Sequence, residues 1–203
     1  DEGRVLGAQA MGYDGVDKVI DVIATVIKFK GTVEDLAELE LAYAPPYLSA
    51  KSPANMAGFV AQNVLKGLVE VVTSDHMNNI DFDKELLLDV RDDIEVQGGA
   101  VKGYKNIPLN NLRDRLSELE EHKDKTIIAY CAVGLRGYIA SRILKANGFK
   151  VKNVTGGFKS YELASFIPGE REPSMADSQE QINEDGSIEK KSPKINKTDK
   201  SGT

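Results

Sequence analysis

The sequence predicts an α/β fold for the middle of the chain, with a mostly parallel sheet flanked by helices. Strand-sized apolar runs recur at Val69–Val72, Leu86–Val90, Thr126–Tyr130 and Val151–Val154. Helical spacing separates them: Leu112, Leu116 and Leu119 mark one helix, and Ile139, Ala140, Ile143 and Leu144 mark another over Gly137–Asn147, closed by Gly148. Strands alternating with helices at this spacing bury their apolar faces as layers around a parallel sheet.

Residues 1–65 have a different rhythm. Arg4 to Gly12 reads as one strand running into a glycine turn, with nothing earlier in the sequence to pair with it. Asp14 to Lys30 carries Val16, Val19, Ile20, Ile23, Val26 and Ile27 at the helical period, which predicts an amphipathic helix ended by Gly31. Thr32 then caps a second helix, with Asp35 as its capping-box partner. Pro45 and Pro46 force Ala42–Tyr47 into an extended path, and a last helix is expected from about Asn55 to Leu65. From 164 to 203 the chain is dominated by Ser, Glu, Lys, Asp, Asn and Pro. So few apolar residues cannot offset the entropy of ordering, which predicts a disordered tail or linker. Lys190, Lys191, Lys194, Lys197 and Lys200 would attract an anionic partner, but a solvated linker is the plainer reading.

Composition bounds the function classes. Among 203 residues 41% are hydrophobic and 29% charged, with a net charge of −6. No basic block stands out before the tail, which argues against nucleic acid, because phosphate binding needs clustered cations. The longest apolar runs are strand-sized or broken by charges, so no membrane span is expected. The chain opens Asp1-Glu2-Gly3-Arg4 without Met or an apolar targeting core, and so reads as an excerpt of a longer protein without a signal peptide. The single cysteine, Cys131, cannot form an internal disulfide, which together with the missing signal favours a cytoplasmic setting. No set of metal ligands is picked out.

Cys131 follows the strand Thr126–Tyr130, and Ala132-Val133-Gly134-Leu135-Arg136-Gly137 lead into the next helix. A loop at such a junction turns backbone N–H groups inward, and the helix adds the positive end of its dipole. The site favours an anion, and so a thiolate, which makes the cysteine nucleophilic near neutral pH. Gly134 permits torsions that a side chain forbids. Arg136 supplies a fixed positive fork suited to oxyanions of sulfur or phosphorus. The plainer alternative makes Cys131 a small buried hydrophobe. Phosphotyrosine-type phosphatases place one more residue between Cys and Arg than the four found here. The shorter loop makes a tighter bowl, better matched to a terminal sulfur than to a phosphate tetrahedron, and no Asp is obviously placed as a general acid. A phosphatase-like cysteine enzyme is therefore the weaker alternative.

These segments resemble a single-domain rhodanese over residues 68–163. Leu86-Leu87-Leu88-Asp89-Val90-Arg91 is similar to the family's Leu-Ile-Asp-Val-Arg strand, and Gly99 to Leu109 to its Gly-His-Ile-x-Gly-Ala-x-Asn-Ile-Pro segment. Cys131–Arg136 resembles the six-residue active loop, and Gly148-Phe149 with Val154-Thr155-Gly156-Gly157-Phe158 the closing elements. The family's usual His is replaced at Gly99, and Gly137 stands where Ser is common. The resemblance implies that Cys131 accepts sulfane sulfur as a persulfide, that backbone amides of Ala132, Val133, Gly134, Leu135, Arg136 and Gly137 stabilise it, and that Arg136 orients an anionic donor. Small sulfur donors are implied: thiosulfate, persulfide, polysulfide and coenzyme A persulfide. Asp89 and Arg91 read as a structural pair near the loop.

Residues 1–65 resemble the C-terminal dimerisation segment, here partial and α+β, of a coenzyme A disulfide reductase or NADH oxidase of the pyridine nucleotide-disulfide oxidoreductase family. Val16-Asp17-Lys18, Ile20-Asp21-Val22, Ala42 to Tyr47 and Asn55-Met56-Ala57-Gly58 carry this likeness. Some of these reductases carry a rhodanese domain behind them. The resemblance implies FAD, NAD(P)H and coenzyme A for the parent protein, and a homodimer. It implies that Tyr43 donates a proton or hydrogen bond at the partner subunit's disulfide site, against the plainer reading of Tyr43 and Tyr47 as packing aromatics. The glycine-rich FAD and NAD(P)H fingerprints are absent from these residues, so this chain alone is expected to bind no cofactor. Two functional readings remain open here: a working sulfurtransferase, and a persulfide-binding module that delivers to its neighbour without turnover.

Overall fold

The sheet is built from runs that the alternation of side chains sorts onto two faces. In the computed structural model, which describes residues 3–46 and 50–164 and the backbone of 180–182 and 188–190, β1 (Val71–Val72), β2 (Glu85–Asp89), β3 (Lys105–Asn106), β4 (Thr126–Tyr130) and β5 (Lys150–Val154) pair in the order β1-β5-β4-β2-β3. Every pairing is parallel. The register sets Asp89 beside Tyr130 and beside Asn106, so the carboxyl ends of the central strands converge on the residue before Cys131.

Successive strand residues point to opposite faces. Leu88, Val90, Ile127, Ala129 and Cys131 join Ala140, Ile143 and Leu144 of α5 (Leu135–Ala146) in one core. Leu87, Ile128, Tyr130 and Val154 face the other way, against Met77, Val101 and Phe158. Phe158 opens α6 (Gly157–Ala164). The helix expected from Leu112 to Leu119 is corrected to two 3₁₀ turns, Leu109–Asn111 and Leu116–His122, which still bury Leu112 and Leu119. Short 3₁₀ pieces serve as connectors where a full helix has no room to propagate. Also absent from the expectations were α4 (Asp93–Gln97), α6, β3 and the 3₁₀ turn Ser74–Asn78.

The first three helices are α1 (Val16–Lys28), α2 (Val33–Glu38) and α3 (Pro53–Leu65). Thr32 Oγ1 accepts from Asp35 N–H at 3.2 Å and Asp35 Oδ2 accepts from Thr32 N–H at 2.7 Å, a closed capping box. Asn55 Nδ2 donates to the carbonyls of Leu36, Ala37 and Leu39 at 3.3, 3.3 and 3.0 Å, satisfying groups that the end of α2 leaves unpaired. Gly58 lets α3 approach that end, since a Cβ there would lie 2.6 Å from Ala37 N. Ile23, Val26, Leu36 and Ala54 form the core between them. The strand expected over Arg4–Gly12 is corrected to a single bridge, Arg4 to Thr32, because among the described residues no neighbouring strand extends the ladder.

The chain divides between Ala164 and Ser165 into two units. In the second, β6 (Glu180–Ile182) and β7 (Ile188–Lys190) pair antiparallel, a local exception to the expected disordered tail. The rest of that stretch, and Tyr47, lie outside the described residues.

Candidate functional site

Strand β4 delivers Cys131 to the amino end of α5. The residue is 1% exposed, and Gly134 N–H donates to its Sγ at 3.1 Å. A donor aimed at sulfur stabilises negative charge there, whether on a thiolate or on the outer sulfur of a persulfide. Gly134 reaches this position with φ 129°, a backbone region that residues with a Cβ rarely enter.

Two anchors hold the loop in this shape. On one side the first turn of α6 takes its carbonyls: Phe158 N–H donates to Cys131 O at 2.8 Å and Lys159 N–H to Ala132 O at 3.0 Å. Gly157 makes the approach possible, with φ 58° and no Cβ to overlap Cys131 O or to press within 2.8 Å of Ala132 C. On the other side buried Asn153, from β5, donates Nδ2 to Gly134 O at 3.3 Å. Its Oδ1 is buried without a hydrogen-bond partner and occupies the place a Cβ on Gly137 would take. The glycine found where Ser is common is thus the steric counterpart of Asn153.

Arg136 leaves the first turn of α5 and meets α4. Its Nη1 and Nη2 donate to Glu95 Oε2 and Oε1 at 2.5 and 2.7 Å, and Nη1 lies 3.5 Å from Asp92 Oδ2. Glu95 Oε2 also accepts from Asp92 N–H at 3.1 Å, so the carboxylate is fixed by its own helix start. The Arg136 hydrogen bond is the main cause that holds the Glu95 carboxyl down to about 2, and Glu95 in turn raises Arg136.

Asp89 and Arg91 stand behind the loop. Asp89 accepts from Arg91 Nε at 3.0 Å, from Nη2 at 2.7 Å and from the Arg91 backbone N–H at 2.9 Å. Arg91 Nη2 also donates to Gly99 O at 2.8 Å, and the guanidinium lies 4.0 Å from the Phe158 ring centre. Burial opposes the guanidinium charge, but the hydrogen bond and charge of Asp89, with Tyr130, together outweigh it and raise the Arg91 pKa. The pair thereby links β2 to the start of α6.

The structure brings together Cys131, Ala132, Val133, Gly134, Leu135, Arg136 and Gly137, with Asp89 and Arg91 one layer behind. Tyr43 is 54% exposed between α2 and α3, and among the described residues no hydrogen bond joins it to the loop. Val133 and Leu135 are exposed at the loop's rim. Val133 also borders a groove of about 1150 Å³ shared with Lys18, Val22, Leu41, Lys51 and Met56. Glu95 and Asn153 were not expected. Asp92-x-x-Glu95 has the form of a capping box and marks a helix start, whereas a polar residue inside β5 carries no signal of its partner.

The parallel sheet, the loop after β4 with its amide on Cys131 Sγ and the glycine turn that clasps it define the fold. Residues 72–164 have a rhodanese-like fold. The family model described as "Rhodanese-like domain" matches over those residues. The chain is similar to the reduced CoADR-RHD of Bacillus anthracis, at 52% identity and TM-score 0.70, over 73% of this chain and 26% of that one. It is similar too to a NAD-dependent persulfide reductase from A. fulgidus, at 40% identity and TM-score 0.64, over 74% of this chain and 26% of that one. The coenzyme A disulfide reductase of Staphylococcus epidermidis is 44% identical over 62 residues, 30% of this chain and 14% of the reductase. YqhL of Bacillus subtilis is 37% identical over 81 residues, 39% of this chain and 63% of YqhL. The chain therefore spans about a quarter of the length of the two solved reductase chains. Among the described residues no helix is long and apolar enough to cross a membrane, and no cluster of side chains is suited to hold a metal.

Proposed function

We propose that the rhodanese-like domain is a sulfurtransferase that carries sulfane sulfur on Cys131. The Cys131 thiolate attacks the outer sulfur of the donor. A sulfur–sulfur bond forms to Cys131 while the donor's own sulfur–sulfur bond breaks, and sulfite or a thiolate leaves with the electron pair. A nucleophilic acceptor then takes the outer sulfur and restores the thiolate. The observation that carries this reading is the Gly134 N–H on Sγ, within a loop whose Cys131 and Ala132 carbonyls are tied away to α6. Sulfur transfer from thiosulfate to cyanide by this chain, with Cys131→Ser beside it, is the test. Equal rates for the two proteins overturn the proposal.

A second reading makes the domain a carrier that holds a persulfide for a neighbouring active site without turning over free donors. The Arg136–Glu95 pair favours it, since the cation expected to grip thiosulfate is already engaged. Mass spectrometry after thiosulfate treatment separates the two: one added sulfur on Cys131 without turnover identifies a carrier.

In the parent protein we place the domain behind the dimerisation segment of an FAD- and NAD(P)H-dependent reductase of coenzyme A disulfide, persulfide or polysulfide, working as a cytoplasmic homodimer. Alignment with two reductase chains over 73% and 74% of this chain, more than the rhodanese-like residues alone, supports that order. The flavin chemistry belongs to residues outside this chain, and Tyr43 would act at the partner subunit's disulfide site. The apolar groove beside Val133, with Lys18 and Lys51 in its wall, is consistent with a long thiol-borne donor such as coenzyme A persulfide.

A further inference from the structure

From the pairing of Arg136 with α4 we infer that Glu95 is a specificity-determining residue, which steers the Cys131 loop away from small dianionic donors such as thiosulfate and towards alkyl persulfides. The inference rests on the sulfurtransferase reading and deepens it. A dianion that approaches Cys131 must be met by a cation, and Arg136 is the cation of this loop. Both of its terminal nitrogens are already held by one carboxylate, at 2.5 and 2.7 Å, with Asp92 3.5 Å away. One cation thus faces two carboxylates, and the rim carries a net negative charge. Glu95 is not free to swing aside at no cost, because the Asp92 N–H holds the same Oε2 that Arg136 uses.

The two donor classes respond differently to this rim. Thiosulfate carries two charges on a compact group and must either displace Glu95 from Arg136 or enter against its field. An alkyl persulfide places at most one charge at the reacting sulfur, next to the Cys131 Sγ that the Gly134 amide already holds, and its body needs no guanidinium. Unit charges a few ångströms apart at a partly solvated surface interact strongly enough that removing one carboxylate alters the preference by about an order of magnitude.

The experiment uses the whole chain and the Glu95→Gln variant. Glutamine keeps the oxygen that accepts from Asp92 N–H and removes the charge. Initial rates of sulfur loading on Cys131 are followed by mass spectrometry with thiosulfate and with the persulfide of 2-mercaptoethanol, an uncharged carrier. The expected result is a fall of about tenfold in the KM for thiosulfate relative to that for the alkyl persulfide, shrinking at high ionic strength. Asp92→Asn, farther from Arg136, is expected to give a smaller shift in the same direction. A ratio within about twofold of the parent chain at low salt, or a shift that salt does not diminish, overturns the inference. If the unsubstituted chain loads sulfur from neither donor, or Cys131→Ser loads as well as the parent, the sulfurtransferase reading fails instead.

Discussion

Removing the Asp89 carboxylate tests how the layer behind the loop is held. Asp89 is fully buried and the Arg91 side chain 4% exposed. In Asp89→Ala the guanidinium keeps Gly99 O and the face of Phe158 but loses the carboxylate that accepts from its side chain. A buried charge stripped of its partner costs about 3–5 kcal/mol. For a domain of this size each kcal/mol lowers the melting temperature by about 4–8 °C, so a fall of at least ~12 °C is expected. Replacing both partners with apolar residues of similar volume, Asp89→Leu with Arg91→Met, removes the uncompensated charge. That double variant is expected to melt well above Asp89→Ala. Thermal unfolding of the three proteins by circular dichroism at fixed pH and salt decides it. A loss under about 1 kcal/mol in Asp89→Ala, or a double variant no more stable than the single, would refute the account of the pair as a charge-compensated anchor.

Three further outcomes follow from the loop. Gly157→Ala forces a side chain into a positive-φ position against Cys131 O; a loss of at least ~1 kcal/mol with failure to load sulfur on Cys131 is expected in unfolding and mass measurements. Gly137→Ser drives Asn153 off Gly134 O; its cost is expected to be relieved by Asn153→Ala in the same molecule, a non-additivity that denaturant titration of the single and double variants measures. The Glu95 carboxyl is depressed to about 2 by Arg136, so its contribution to stability is fully present above the unfolded carboxyl's pKa and is lost as pH falls from about 4 towards 2. The stability gap between the parent chain and Glu95→Gln is therefore expected to be flat from pH 6 to 8 and to close below pH 4.

The sheet was legible because its central strands are continuous apolar runs with helices between them, and Thr126–Tyr130 coincides with β4 residue for residue. Thr32 and Asp35 announced their capping box by type and spacing alone. What could not be read depended on distant partners. Arg4–Gly12 has strand-like residues, but among the described residues it pairs with Thr32 alone. Leu112 and Leu119 have helical spacing, yet their segment turns as 3₁₀, because anchoring two side chains in a core does not require a full helix between them. The cysteine loop is local in sequence, so its members could be named. The Glu95 contact to Arg136 spans 41 positions and Asn153 to Gly134 spans 19, and no periodicity encodes such pairings.

The sheet's outermost strands are two residues each, whereas the three between them are five. An unpaired edge invites another chain to add a strand, and the invitation scales with the length of exposed backbone. Edges this short offer a foreign strand only one or two ladder bonds at either side. The fold can therefore be appended to a larger polypeptide, or sit at high concentration beside copies of itself, with little tendency to propagate its sheet from molecule to molecule.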